Sequence, residues 1–253
     1  MGSAISVRAS HHPTLTGLVA TCIGVGFFAS PTVAQDRFGG SISITNDYRV
    51  RGLTQTRNKP AIQGGVHARF DSGWFVGAWA STMDRNQGPS ATYEIDAYVG
   101  VAWTLSPDWN AKLSVAHYWY PDDPARSRYE YDEISASLTF RAQLTATVSW
   151  APNIGYFGRY EGDRQMGRGS AIAYELTGLQ PITSSLSLTA GVGYNDLTDI
   201  FQIGYWYWNT GVTYSVGAVQ FDLSRIDNDS TAKRLFGSMR TKAGWTAAVS
   251  WSF

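Results

Sequence analysis

The sequence is poor in charge. Lys, Arg, Asp and Glu make up 16% of its 253 residues, where soluble domains typically carry ~25%. The charges balance, 20 basic against 20 acidic. No strongly basic face follows, which argues against a nucleic-acid partner. Cysteine occurs once, at Cys22, and only His67 and His117 lie beyond the first twelve residues. No Cys or His cluster has metal-ligand spacing, so neither metal nor cofactor is expected. Beyond residue 34 no apolar run approaches the ~20 residues of a spanning helix, so any membrane crossing falls to strands. Aromatic residues are plentiful instead, at 14%, with ten Trp, and Gly numbers 26.

The first 34 residues read as an export segment. Arg8, His11 and His12 precede an apolar stretch from Leu15 to Ala29, and Thr32-Val33-Ala34 has the small-residue form of a cleavage site. Cleavage after Ala34 makes Gln35 the first mature residue. A lipoprotein reading through Cys22 is weak, because Val19-Ala20-Thr21 lacks the usual Leu and a small Gly or Ala before the cysteine. The expected mature chain, 35–253, then holds no cysteine, which suits an oxidising compartment.

The last twelve residues show the pattern that organises the rest. Ala243, Trp245, Ala247, Val249, Trp251 and Phe253 alternate with Lys242, Gly244, Thr246, Ala248, Ser250 and Ser252. One face is greasy and the other small or polar, as in a half-buried strand. The length matches the ~9–11 residues of a tilted transmembrane strand. The terminal Phe253 looks like the C-terminal assembly signal of bacterial outer-membrane barrels, which makes the barrel-assembly machinery an expected partner.

The same alternation predicts strands near 41–51, 61–70, 74–81, 92–104, 110–120, 129–141, 144–150, 170–179, 185–195, 201–215 and 219–224. The 74–81 segment is apolar on both faces, so its register stays open. With 242–253 the total is about twelve, an even number, as single-chain bacterial barrels require. Connections alternate short and long, with long loops at 152–169 and 227–241 and tight turns near Asp71, Ser106, Arg141, Gln180 and Gly217. Short periplasmic turns and long outer loops are the barrel arrangement. The aromatics agree. Trp74, Trp103, Trp109, Trp251 and Phe253 fall at one set of strand ends, and Trp119, Trp150, Tyr194, Trp206 and Trp208 at the other. These are two interfacial girdles; a soluble sandwich core would not concentrate Trp at both strand ends. The fold class expected is all-β, an antiparallel transmembrane barrel with outer-membrane lipids and lipopolysaccharide around it.

Asn46-Asp47-Tyr48-Arg49, Arg51-Gly52, Thr54-Gln55-Thr56 and Pro60-Ala61-Ile62-Gln63-Gly64-Gly65 carry a further signal, continued by Gly73-Trp74-Phe75, Gly77, Trp79, Glu94-Ile95-Asp96, Tyr98 and Gly100. Together they resemble the Gcw_chp family, also called TorF-like porins, exported Gram-negative proteins assigned to the outer membrane. Val50 and Thr54 depart mildly from the pattern. The resemblance implies location and a barrel; it brings no settled substrate.

Inward-reading charges are the candidate channel lining: Asp47, Arg49, Arg51, Glu94, Asp96, Glu133 and Lys242, with Arg69, Lys112, Arg141 and Asp222 also inward. Facing lipid, an Arg or Lys would cost ~2–4 kcal/mol at the midplane, so a lumen with both signs is wet or internally paired. Heights along the strands set Arg49, Arg51 and Lys242 on one wall and Glu94, Asp96 and Glu133 on a facing one. The expected function is passive diffusion of small polar solutes through a narrow charged constriction. If the acids pair fully with the arginines, the lumen is plugged and a non-conducting, partner-binding barrel gains.

Other residues carry weaker signals. His67 reads as a wall residue. His117 reads outward, where a lipid-facing hydrolase would need a serine beside it, but Ser135 and Ser137 read inward. Asn46 is polar at an outward position and reads as a bulge cap or a register slip. Gly64-Gly65 reads as a barrel bend.

Overall fold

A computed structural model of the protein describes residues 38–84, 91–122, 130–157 and 166–253. The export segment, the cleavage site after Ala34 and Cys22 lie outside the described residues.

In chain order, β1 (Phe38–Thr45) is followed by two short strands, β2 (Arg49–Val50) and β3 (Leu53–Thr54), and then by β4 (Ala61–Arg69), β5 (Trp74–Thr82), β6 (Tyr93–Ser106), β7 (Trp109–Trp119) and β8 (Tyr131–Phe140). Next come β9 (Leu144–Phe157), β10 (Met166–Pro181), β11 (Leu186–Asp196), β12 (Tyr205–Val216), β13 (Val219–Asn228) and β14 (Gly244–Ser252). Three short helices sit in the connections: α1 (Thr198–Phe201), α2 (Ser230–Phe236) and α3 (Ser238–Thr241). All strands but β2 and β3 form one closed antiparallel barrel, each paired with its chain neighbours, and β1 closes onto β14.

The seam rests on the terminal residue. Phe253 N–H donates to Gly40 O at 3.0 Å, and Gly40 N–H donates to Phe253 O at 2.8 Å. A Cβ at Gly40 would stand 2.7 Å from the Phe253 ring, so the glycine makes room for the aromatic. Both ends of the described chain therefore meet at one rim, where the turns are tight. That rim is the periplasmic one, and the longer connections lie at the outer rim.

Alternation sets the faces. Ile42, Ile44, Val66, Val99, Leu113, Val115, Leu138, Val148, Leu188 and Val249 are exposed on the outside, while Thr45, Thr145, Ser149, Thr189, Thr213 and Ser250 are buried inside. An apolar exterior around a polar interior is the reverse of a soluble protein and fits a barrel in a bilayer. Nine of the ten Trp residues are exposed outside, in the two bands expected from the sequence. Trp79 is the exception, and it fixes the open register: Trp74, Val76 and Ala80 face out, and Trp79 and Ser81 face in.

Several boundaries differ from expectation, each for a local reason. β1 stops at Thr45 rather than continuing to Arg51. Asn46 takes the next strand position with its side chain: Nδ2 donates to Trp245 O at 3.1 Å and Ala247 N–H donates to Oδ1 at 2.9 Å, while the main chain turns inward. Gly64-Gly65 is regular paired strand, not a bend; a Cβ at Gly65 would meet the inward Trp79 at 3.1 Å. Of the loop expected over 152–169, residues 152–157 and 166–169 are strand, because β9 and β10 pair out to Phe157 and Met166. The strand expected from 201 starts at Tyr205, since Thr198–Phe201 coils into α1.

Candidate functional site in the lumen

The connection from β1 to β4 folds into the barrel. Residues 47–49 and 51–56 are buried, and Arg49 is 1% exposed. β2 and β3 form a hairpin whose turn is Arg51 (φ +48°) and Gly52 (φ +78°). Two successive positive φ angles are the signature of a tight hairpin turn, and a glycine serves the second. A side chain at Gly52 would collide with Asn228 and Tyr207, so the turn tip lies hard against the far wall.

Asp47 organises the hairpin from within. Its Oδ1 accepts from Thr54 Oγ1 and, at 2.9 Å, from Thr56 Oγ1; its Oδ2 accepts from Arg49 Nε at 2.6 Å. Tyr48 N–H donates to Thr56 Oγ1 at 3.1 Å, and Gln55 N–H to Tyr48 O at 2.7 Å. One carboxylate thus gathers two hydroxyls and a guanidinium, which a buried charge requires.

The hairpin is tied to several strands. Tyr48 Oη donates to Glu94 Oε1 on β6 at 2.8 Å, and its ring lies 5.4 Å from Trp79 on β5. Arg51 Nη2 reaches Glu133 Oε2 on β8 at 2.6 Å. Tyr205 Oη on β12 donates to Arg51 O at 3.1 Å, and Asn228 Nδ2 on β13 donates to Gly52 O at 2.9 Å. Leu53 packs with Tyr205, Tyr207, Leu197, Ala171 and Ala232, under Phe201 and Phe236 from α1 and α2. At the outer rim Asp84 holds the loop's end, with Arg57 Nη2 at 2.5 Å and Lys59 Nζ at 2.6 Å. The Arg57 hydrogen bond holds the Asp84 carboxyl below its usual range, aided by Lys59.

The expected lining is therefore redistributed. Asp47, Arg49 and Arg51 belong to the inserted loop and not to a strand wall. Glu94, Asp96 and Glu133 do face inward from β6 and β8, and the loop brings Arg51 into contact with Glu133 instead of leaving it opposite. Asp96, 1% exposed, has both carboxylate oxygens enclosed without a protein donor among the described residues. Lys242 is exposed between α3 and β14 and joins none of them. Arg141 is exposed in a periplasmic turn and pairs with Asp108 at 3.1 Å. Tyr48, Thr54, Thr56, Tyr205 and Asn228 were not among the candidates, although the first three lie in the segments that carry the family resemblance.

His117 is exposed on the outside, its Nδ1 2.8 Å from Asp132 Oδ1. Ser135 and Ser137 face the lumen, bonded to Ser149 at 2.7 Å and Thr147 at 3.0 Å, on the other side of the wall from that histidine.

The fold is similar to that of a structure described as NanC porin: 9% identity, TM-score 0.55, covering 85% of this chain and 98% of that one. A structure from work on in-meso crystallization of membrane proteins gives 8% identity and a TM-score of 0.54 over 85% and 83% of the two chains. One described as KdgM porin gives 6% and 0.49, over 85% and 98%. At such identities the likeness is one of fold. No curated protein matches the chain. The family model described as "Bacterial protein of unknown function (Gcw_chp)" matches residues 29–253, and with that span the chain belongs to the Gcw_chp family, as an outer-membrane β-barrel.

Proposed function

We propose that the protein is a passive channel for small polar solutes, narrowed by the loop of residues 46–60. One observation carries the reading: a polar loop, held by side-chain hydrogen bonds, occupies the outer half of a closed barrel whose inward face is polar. Eight-strand barrels are filled by their own side chains and sixteen-strand porins hold open channels. A barrel of intermediate size leaves space that the loop narrows. Diffusion through it needs no cofactor and no catalytic group. Asp47, Arg49, Arg51, Glu94, Asp96 and Glu133 set the constriction; Lys242 stands outside it. Cleavage after Ala34, contact with lipopolysaccharide at the outer girdle and recognition of Phe253 by the assembly machinery complete the proposal.

The Arg51–Glu133 pair favours a second reading, in which the loop seals the lumen and the barrel displays its outer loops to a partner. Single-channel recording in planar bilayers with small ions and zwitterions separates the two. The intact protein is expected to give small steps, and a variant with residues 47–58 replaced by a short Gly-Ser link to give steps several-fold larger. Silence from the intact protein beside large steps from the variant supports the sealed reading. Silence from both overturns the channel.

A further inference from the structure

Below the loop the wall carries charge of another kind. Arg69 on β4 is in register with Phe75 on β5, Phe75 with Gly100 on β6, and Gly100 with Ser114 on β7. Lys112 lies two residues nearer the periplasmic rim on β7 and faces the same way. Arg69 and Lys112 are both half-buried in the lumen, and the charge of Arg69 acts on Lys112. Among the described residues no carboxylate is placed against either one. Asp222 faces inward from β13, three strands from β4, and is held by Thr213 Oγ1 at 2.6 Å and Gln220 Nε2 at 2.9 Å, while Asp108 at the rim pairs with Arg141. Phe75 and Tyr98 line the wall between the two cations, their rings 6.2 Å apart.

Two like charges in a low-dielectric lumen repel, and neither contributes an ion pair to the fold. A purely structural role leaves their placement unexplained. A mobile anion supplies the missing counter-charge. The guanidinium fork suits two oxygens of one oxyanion, and the ammonium adds a point charge.

We propose that Arg69 and Lys112 form an anion subsite in the periplasmic half of the lumen, taking small solutes that bear a carboxylate or phosphate group. Phe75 and Tyr98 lie where the carbon skeleton of such a solute would rest. The subsite deepens the channel reading and rests on it for its role in transport. It gives the channel a preference for anions that the paired charges of the outer half do not.

The test uses the folded, full mature protein in detergent, titrated calorimetrically with citrate and with inorganic phosphate at low salt, and in parallel the reversal potential in a KCl gradient. The expected result is salt-sensitive binding of both probes and a chloride-selective potential. Arg69→Gln with Lys112→Gln is expected to weaken binding at least tenfold and move the potential toward cations. Arg69→Lys, which keeps the charge and loses the fork, is expected to fall between. Asp222→Asn is expected to leave binding unchanged. Heat-modifiable mobility confirms that each variant is folded. Binding without conductance upholds the subsite and overturns the channel. Conductance without binding, or binding unchanged in the double Gln variant, overturns the subsite.

Discussion

The two halves of the lumen handle charge in opposite ways. In the outer half Arg49 meets Asp47, Arg51 meets Glu133, and Arg57 and Lys59 share Asp84. In the periplasmic half Arg69 and Lys112 face the lumen with no carboxylate against them among the described residues. Both halves share the same wall chemistry, alternating small polar residues on strands of one barrel. The difference comes from the inserted loop, which carries its own counter-charges into the outer half. Paired charges hold structure, and unpaired ones are left for solutes. Asp96 differs from these acids in the outer half: it is a buried carboxyl group without a protein donor among the described residues.

The largest expected effect comes from breaking the loop's internal hub. Asp47→Ala strands the buried Arg49 guanidinium, a change that typically costs ~3–5 kcal/mol. It also removes the acceptor of Thr54 and Thr56. The loop is expected to leave the lumen while the barrel stays folded. Limited proteolysis at Arg49 and Arg57 of the folded protein reads this; unchanged resistance would show that Asp47 is not the hub.

Next comes the tie to the wall. Glu133→Gln keeps a hydrogen-bond acceptor for Arg51 but removes the counter-charge, and is expected to cost ~1–3 kcal/mol. Open-channel noise should rise, with proteolysis of the loop faster than in the parent and slower than in Asp47→Ala. Asp96→Asn changes a carboxyl that accepts no hydrogen bond among the described residues, and is expected to leave the loop in place and the unfolding temperature equal or higher. Matching losses in Glu133→Gln and Asp96→Asn would erase the distinction between paired and unpaired acids.

The smallest effect belongs to the rim latch at Asp84. Its pKa is lowered in the fold, chiefly by the Arg57 hydrogen bond. The latch therefore contributes fully above the ordinary carboxylate value of ~3.9. It weakens as pH falls through that value and is lost below Asp84's own lowered one. Loop proteolysis by an acid-active protease should accelerate across that window in the parent and stay flat in Asp84→Asn. A parent profile that is also flat would remove Asp84 from the latch.

Much of the barrel was legible in the sequence. Each strand presents one face to lipid and one to the lumen, so membrane burial writes itself as a period of two along Ile42–Ile44, Leu113–Val115 or Val249–Trp251. Aromatic girdles and the alternation of loop lengths then set number and orientation. The strand over 74–81 was illegible because Phe75, Gly77 and Trp79 are apolar yet inward, answering to Tyr48 and Tyr98 rather than to water. β9 and β10 pair on beyond the stretches 144–150 and 170–179, through a backbone register that the alternation of side chains does not reveal.

The loop was hidden for a different reason. Asp47, Arg49 and Arg51 keep the strand alternation for several residues after the strand has ended, so parity placed them on a wall. What diverts the chain is Asn46, whose side chain bonds the backbone of β14, about two hundred residues away in the chain (positions 245 and 247). Contacts of Arg51 with β8 and of Gly52 with β13 are likewise non-local. The sequence by itself determined which faces meet lipid, because that choice repeats residue by residue. Only the tertiary structure decided which charges meet each other, because ion pairs across a lumen depend on how the closed barrel brings distant segments together.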